Sequence, residues 1–146
     1  MSTQEKVTLN LSTVDLGKID YLVEQGFYST RSDFMRTAIR NQLQAHEPIV
    51  SDEALRAVMD DRVAGNSSII RSAVVIGLIS LDSAYFEKHI NQGTRIDLFV
   101  VGAVVVGKDV TLDVAKKVIA SAKVYGSVTG PQDVVSYIKR AITHKE

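Results

Sequence analysis

Residues 6–43 read KVTLNLSTVDLGKIDYLVEQGFYSTRSDFMRTAIRNQL, and the changes of period inside this stretch decide how the first part of the chain folds. Val7, Leu9 and Leu11 alternate with Lys6, Thr8 and Asn10, the period-two pattern of a half-buried strand with one polar face. Ser12, with Asp15 three residues on, is a capping-box-like helix start. Leu16, Ile19, Leu22 and Val23 then form one apolar stripe of a first helix. Gly26 stands where a left-handed C-terminal cap is expected. Thr30, with Asp33 three residues later, opens a second helix whose buried face is Phe34, Met35, Ala38, Ile39 and Leu43.

One strand and two helices cannot close a core, because a lone strand leaves both edges unpaired. The economical solution is a two-fold dimer in which the strands pair antiparallel and four helices share one core. Its ribbon would carry two copies of Lys6, Thr8 and Asn10 on one face, with the size and polarity to enter a DNA major groove. An ordinary solvated strand face is the competing reading for these three residues. The second helix begins with unpaired backbone N–H groups, a positive dipole end, Arg31 and Ser32, a combination suited to a phosphate. Arg36 and Arg40 read as solvated helix charges.

The pattern, and GFYSTRSDFMRTAI at 26–39 above all, resembles the ribbon-helix-helix family of DNA-binding repressors of the Arc, MetJ and CopG type. The resemblance covers about the first 45 residues. It implies an intertwined homodimer whose paired strands read bases and whose second helices anchor phosphates. Carried over by position, it implicates Lys6, Thr8 and Asn10 as base readers and Ser29, Thr30, Arg31 and Ser32 as backbone contacts.

Composition sets the bounds. Seventeen basic and seventeen acidic residues give a formal net charge of zero, so there is no bulk attraction to a polyanion. Up to Glu47, Lys6, Lys18, Arg31, Arg36 and Arg40 face Glu5, Asp15, Asp20, Glu24, Asp33 and Glu47. DNA binding therefore requires charges sorted onto one face, and modest affinity per dimer reinforced by cooperative binding of several. The chain has no cysteine, which is compatible with a reducing cytoplasm and removes disulfides and thiolate metal sites. Residues 1–5 read as a mobile arm without signal-peptide character, and the longest apolar stretch, Leu98 to Val106, is too short to span a bilayer. A cytoplasmic protein with no membrane partner is expected.

The expected organisation is α+β: a ribbon-helix-helix domain at 1–46, a linker at 47–68 and an α/β domain at 69–146. His46-Glu47-Pro48 ends the second helix. Ser51 caps a short linker helix with Leu55, Val58, Met59 and the Arg62 stem on one side, which Gly65-Asn66-Ser67-Ser68 terminates.

The last part contains a repeat. Gly77, Gly102 and Gly126 are 25 and 24 residues apart. Four before each stand Ala73, Leu98 and Ala122, two before stand Val75, Val100 and Val124, and two after stand Ile79, Val104 and Val128. Each glycine thus sits in an alternating strand. A helical segment follows each: Phe86 and Ile90 supply the first buried face, Val114, Val118 and Ile119 the second, and Val134, Val135, Ile138 and Ile142 the third. Asp82, Asp109 or Thr111, and Pro131 mark their starts. Three β-α units with this period predict a short solenoid-like parallel sheet, leucine-rich-repeat-like in plan; a three-stranded α/β sandwich is the alternative. Exposed sheet edges and the outward Phe99 and Val101 predict self-association.

No constellation for catalysis is legible. His46, His89 and His144 are scattered, so neither a metal nor another cofactor is expected. Gly102 to Lys108, GAVVVGK, has the glycine and lysine spacing of a phosphate-binding loop but is followed by Asp109 where that loop needs Ser or Thr, so it reads as a strand and a turn. Tyr85, Tyr125 and Tyr137 read as packing residues. The expectation is a non-enzymatic transcriptional regulator, a repressor by steric default. Its partners are double-stranded DNA and further copies of itself. An antitoxin of a toxin–antitoxin pair and a self-assembling scaffold are the alternatives; the patterned, apolar second half argues against a toxin-wrapping tail.

Overall fold

The computed structural model describes residues 4–63 and 70–141, and the chain divides into two units between Ala54 and Leu55. In the first unit, residues 4–11 run without sheet partners among the described residues. The alternation stops at Ser12, whose Oγ accepts from the Asp15 N–H at 3.1 Å and donates to Asp15 Oδ2 at 2.7 Å. That cap opens α1, Thr13–Glu24. It closes in a Schellman motif: Gly26, at φ +81°, donates to the Val23 carbonyl, and Phe27 donates to that of Leu22.

Thr30 caps α2, Arg31–Ala45, by accepting from Asp33 N–H at 3.1 Å, while Asp33 Oδ2 accepts from Ser29 N–H at 3.1 Å. Tyr28 packs edge-on against Phe34, ring centroids 5.0 Å apart, and this fixes the turn between the helices. Helices α3, Glu47–Val50, and α4, Asp52–Val63, follow, with Ser51 capping α4 through the Ala54 N–H at 3.2 Å. The side chains of Met59 and Arg62 and the end of the linker at Gly65–Ser68 lie outside the described residues, as do Ile142 and His144.

The first unit has almost no core of its own. Ile19 is its one buried apolar residue among those described, while Val7 is 85% and Leu9 62% exposed. No residue of α2 is buried, and Ile39 and Leu43 of its expected buried face are more than half exposed. The apolar stripe is present as read, but among the described residues only Phe34 and Met35 of it are half-buried, and Ala38, Ile39 and Leu43 stay exposed.

The second unit is an open, three-stranded parallel sheet in the order β1-β2-β3: β1 Ile70–Leu81, β2 Arg95–Val106 and β3 Ile119–Thr129. The repeat offsets are the register of this sheet. Gly77, Gly102 and Gly126 are partners across the two ladders, and so are the flanking rows Ala73–Leu98–Ala122, Val75–Val100–Val124 and Ile79–Val104–Val128. A bulge at Ile96–Asp97 is the one shift of register.

Helices α5, Ser83–Asn91, α6, Leu112–Val118, and α7, Gln132–Ala141, form one layer. They pack on the face that presents Leu98, Val100 and Val104. Phe86, Val118, Val134 and Ile138 are fully buried there, each contributing about 1.5–3 kcal/mol of apolar burial. Asp82 caps α5 and Thr111 caps α6, whereas α7 starts directly after Pro131. Two expected core positions differ. Ile90 is 42% exposed, because α5 turns it past the rim of the layer. Ile119 is fully buried as the first residue of β3 rather than as part of α6, which ends at Val118 because residue 119 already has extended backbone.

The three glycines are required by backbone conformation, and Gly102 and Gly126 by close backbone approach as well. Their φ values are +118°, +142° and +132°, which L side chains rarely adopt. A Cβ on Gly102 would lie 1.9 Å from the Gly77 carbonyl oxygen, and one on Gly126 would lie 1.9 Å from that of Gly102. The three strands share one local distortion, which at Gly102 and Gly126 leaves no room for a side chain.

Candidate nucleic-acid interface

The start of α2 carries the densest polar constellation of the first unit. Ser29, Thr30, Arg31 and Ser32 are all exposed and contiguous. Two of them are partly committed: the Ser29 N–H donates to Asp33, and Thr30 Oγ1 accepts from the Asp33 N–H. Arg31 is committed further. Its Nε donates to Asp20 Oδ1 at 2.5 Å and its Nη2 to Asp20 Oδ2 at 2.6 Å, a bidentate pair joining α2 to α1. The hydrogen bonds from Arg31 hold the Asp20 carboxyl below the usual carboxylate range and push the guanidinium further up. Both side chains are about half exposed, so the pair is well screened by water.

Lys6, Thr8 and Asn10 lie in the exposed segment before α1, alternating with Val7, Leu9 and Leu11 as the sequence period requires. Arg36 and Arg40 are exposed on α2, Arg40 touching Thr37 Oγ1 at 3.4 Å. Asp20 escaped sequence reasoning: it is eleven residues from Arg31, on a different helix, and no local spacing announces the pair.

Among the described residues no three His, Cys, Asp or Glu side chains come together in a metal-binding group. His46 Nδ1 meets the Gln42 carbonyl at 2.9 Å and His89 Nδ1 meets Thr94 Oγ1 at 2.9 Å. The GAVVVGK segment runs along β2 and enters a turn closed by Val110 N–H on the Gly107 carbonyl. Tyr85 packs against Phe86 and His89, and burial raises its hydroxyl pKa; the Tyr137 hydroxyl donates to the Ile119 carbonyl at 3.0 Å. Tyr125 is 52% exposed and leans on Phe99 across the opposite face of the sheet. No helix among the described residues is long and apolar enough to cross a membrane.

A family model described as the ribbon-helix-helix transcriptional regulator family matches residues 2–135. No curated protein and no solved structure matches the chain. The matched span runs through the capped helix pair and on through all three sheet strands into α7, so both units belong to one inherited pattern. On that match, over most of its length, the chain belongs to the ribbon-helix-helix transcriptional regulator family.

Proposed function

We propose that the protein is a sequence-specific DNA-binding repressor acting in the cytoplasm as a homodimer, with dimers joined through the second unit. Two chains pair residues 6–11 as an antiparallel ribbon. Its apolar side, Val7, Leu9 and Leu11, closes over the exposed stripes of both helix pairs, and its polar side presents Lys6, Thr8 and Asn10 to base edges in the major groove. Ser29, Thr30, Arg31 and Ser32 then meet phosphates on either side.

The observation that carries this reading is the missing core of the first unit. Val7 at 85% and Leu9 at 62% exposure, beside a single buried Ile19, make a folding unit that needs a second copy of itself. Zero net charge makes phosphate attraction a local matter of the α2 start, and joining dimers on one operator supplies the avidity that bulk charge does not.

The test is binding to duplex DNA across a salt series. Phosphate contacts predict affinity that falls steeply and linearly in log salt. A Lys6→Ala, Thr8→Ala, Asn10→Ala variant keeps most of that slope while losing discrimination between sequences. Salt-insensitive binding, or none at low salt, overturns the proposal.

A further inference from the structure

The second unit ends in two edges that are halves of the same contact. At the inner strands the contact is made twice: the Cβ-less side of Gly102 faces the Gly77 carbonyl, and that of Gly126 faces the Gly102 carbonyl. On the outer edge of β1, Gly77 has the same positive φ but, among the described residues, meets nothing within 4 Å. On the outer edge of β3, Gly126 is the last glycine of the row. The sheet therefore stops with a glycine that has no carbonyl to face and a glycine carbonyl with no glycine against it.

We infer that a second copy of the chain fills both vacancies: the β3 edge of one copy pairs in parallel with the β1 edge of the next, Gly126 against Gly77. This rests on the assembly reading above and names its surface. Extending the observed register puts Val124 beside Val75, Val128 beside Ile79, Ala122 beside Ala73 and Ser127 beside Leu78, so apolar rows continue on the helix side across the junction. The only charges on the two strands, Arg71 and Lys123, fall opposite Ile119 and Val74, and no like charges meet. A strand edge of about 36 Å, about 20 Å deep with its helix layer, amounts to roughly 1,400 Å² of total buried surface, the size of a stable interface. Because the contact is head-to-tail it propagates, and the two-fold ribbon would tie such rows to DNA.

Cysteine cross-linking of the full chain reads the register directly, since the natural sequence has no cysteine. Leu78 and Ser127 each pair with Ala103, so within one chain they are two strands apart, roughly 9.6 Å and too far to bridge. Between copies joined as inferred they are direct partners. The Leu78→Cys, Ser127→Cys variant, mildly oxidised, is expected to give a ladder of covalent dimers, trimers and larger species. Either single variant, and the out-of-register pair Leu78→Cys with Lys123→Cys, gives no ladder. Gly77→Ala, whose methyl meets nothing within 4 Å among the described residues, is expected to keep the secondary structure of the second unit while reducing solution mass to the dimer. Efficient dimers from Leu78→Cys alone would mean two-fold pairing of β1 edges and overturn the inference. So would absence of the ladder while the wild type still exceeds a dimer in mass, with assembly then using another surface. A wild type of bare dimer mass would overturn this inference and the assembly reading together, leaving DNA binding to its own test.

Discussion

The Arg31 guanidinium holds the Asp20 carboxylate in a two-pronged grip, Nε on Oδ1 at 2.5 Å and Nη2 on Oδ2 at 2.6 Å, at the very turn where a phosphate is expected to dock. The pair draws the start of α2 towards α1 and at the same time neutralises the one arginine of the proposed phosphate contacts. In a DNA complex, phosphate and Asp20 compete for the same donors.

Asp20→Ala should therefore tighten DNA binding at low salt. With one Arg31 released in each chain, the salt slope of a dimer steepens by up to about 1.8. The folded state loses only an exposed, screened pair, so the melting temperature changes little. Fluorescence anisotropy across a salt series, beside thermal melts, checks both halves. An unchanged slope would remove Arg31 from the phosphate contacts.

Leu9→Asp places a carboxylate on the apolar side of the proposed ribbon. It forgoes about 2–3 kcal/mol of burial per chain and adds an unpaired charge to the dimer core. The expected outcome is loss of helical circular dichroism from the first unit, with the sheet of the second unit retained. Leu9 is 62% exposed in the single chain, so a monomeric protein would hardly feel the change.

The glycine row gives a graded prediction. Gly102→Ala forces a methyl against the Gly77 carbonyl as well as an unfavourable φ, and should destabilise the second unit by more than about 3 kcal/mol. Gly77→Ala incurs the φ strain alone, about 1–3 kcal/mol. Denaturant melts of the two variants should fall in that order.

His89 supplies a pH dependence. Burial, aided by the positive charges of Lys88 and Arg71, lowers its pKa from the ordinary 6.5. The unfolded chain then binds this proton more readily than the folded one. The stability contributed is complete above about 6.5 and is lost as pH falls from there through the folded-state value. An NMR titration of the His89 ring should give a midpoint below the ordinary 6.5, and His89→Gln should flatten the acid side of the stability profile.

Much of the second unit was legible because its repeat is written in residue types. Three glycines at matching offsets carry the register of a parallel sheet, since Gly102 and Gly126 each answer the carbonyl of the glycine on the neighbouring strand. Helix starts were equally local: Ser12, Thr30, Asp82 and Thr111 cap through the residue three positions on. What the sequence concealed depends on distance in space. Ile119 moved from helix to strand because α6 is only seven residues long, and an apolar run does not say where a helix yields to a strand. Asp20 and Arg31 meet across a turn, at a spacing no helical period selects. The alternation of residues 6–11 is plain, yet among the described residues it pairs with no strand, and the partner proposed for it is a second copy.

The measurement that tests the central claim most directly is selection of bound sequences from random duplex DNA by the wild type and by the Lys6→Ala, Thr8→Ala, Asn10→Ala variant. The account predicts that the wild type enriches a short motif, repeated in inverted or tandem order at a fixed spacing, and that the variant, still dimeric and folded, does not enrich it. If the variant enriches the same motif, residues 6–11 are not the readers; if the wild type enriches none at low salt, the DNA-binding account is wrong.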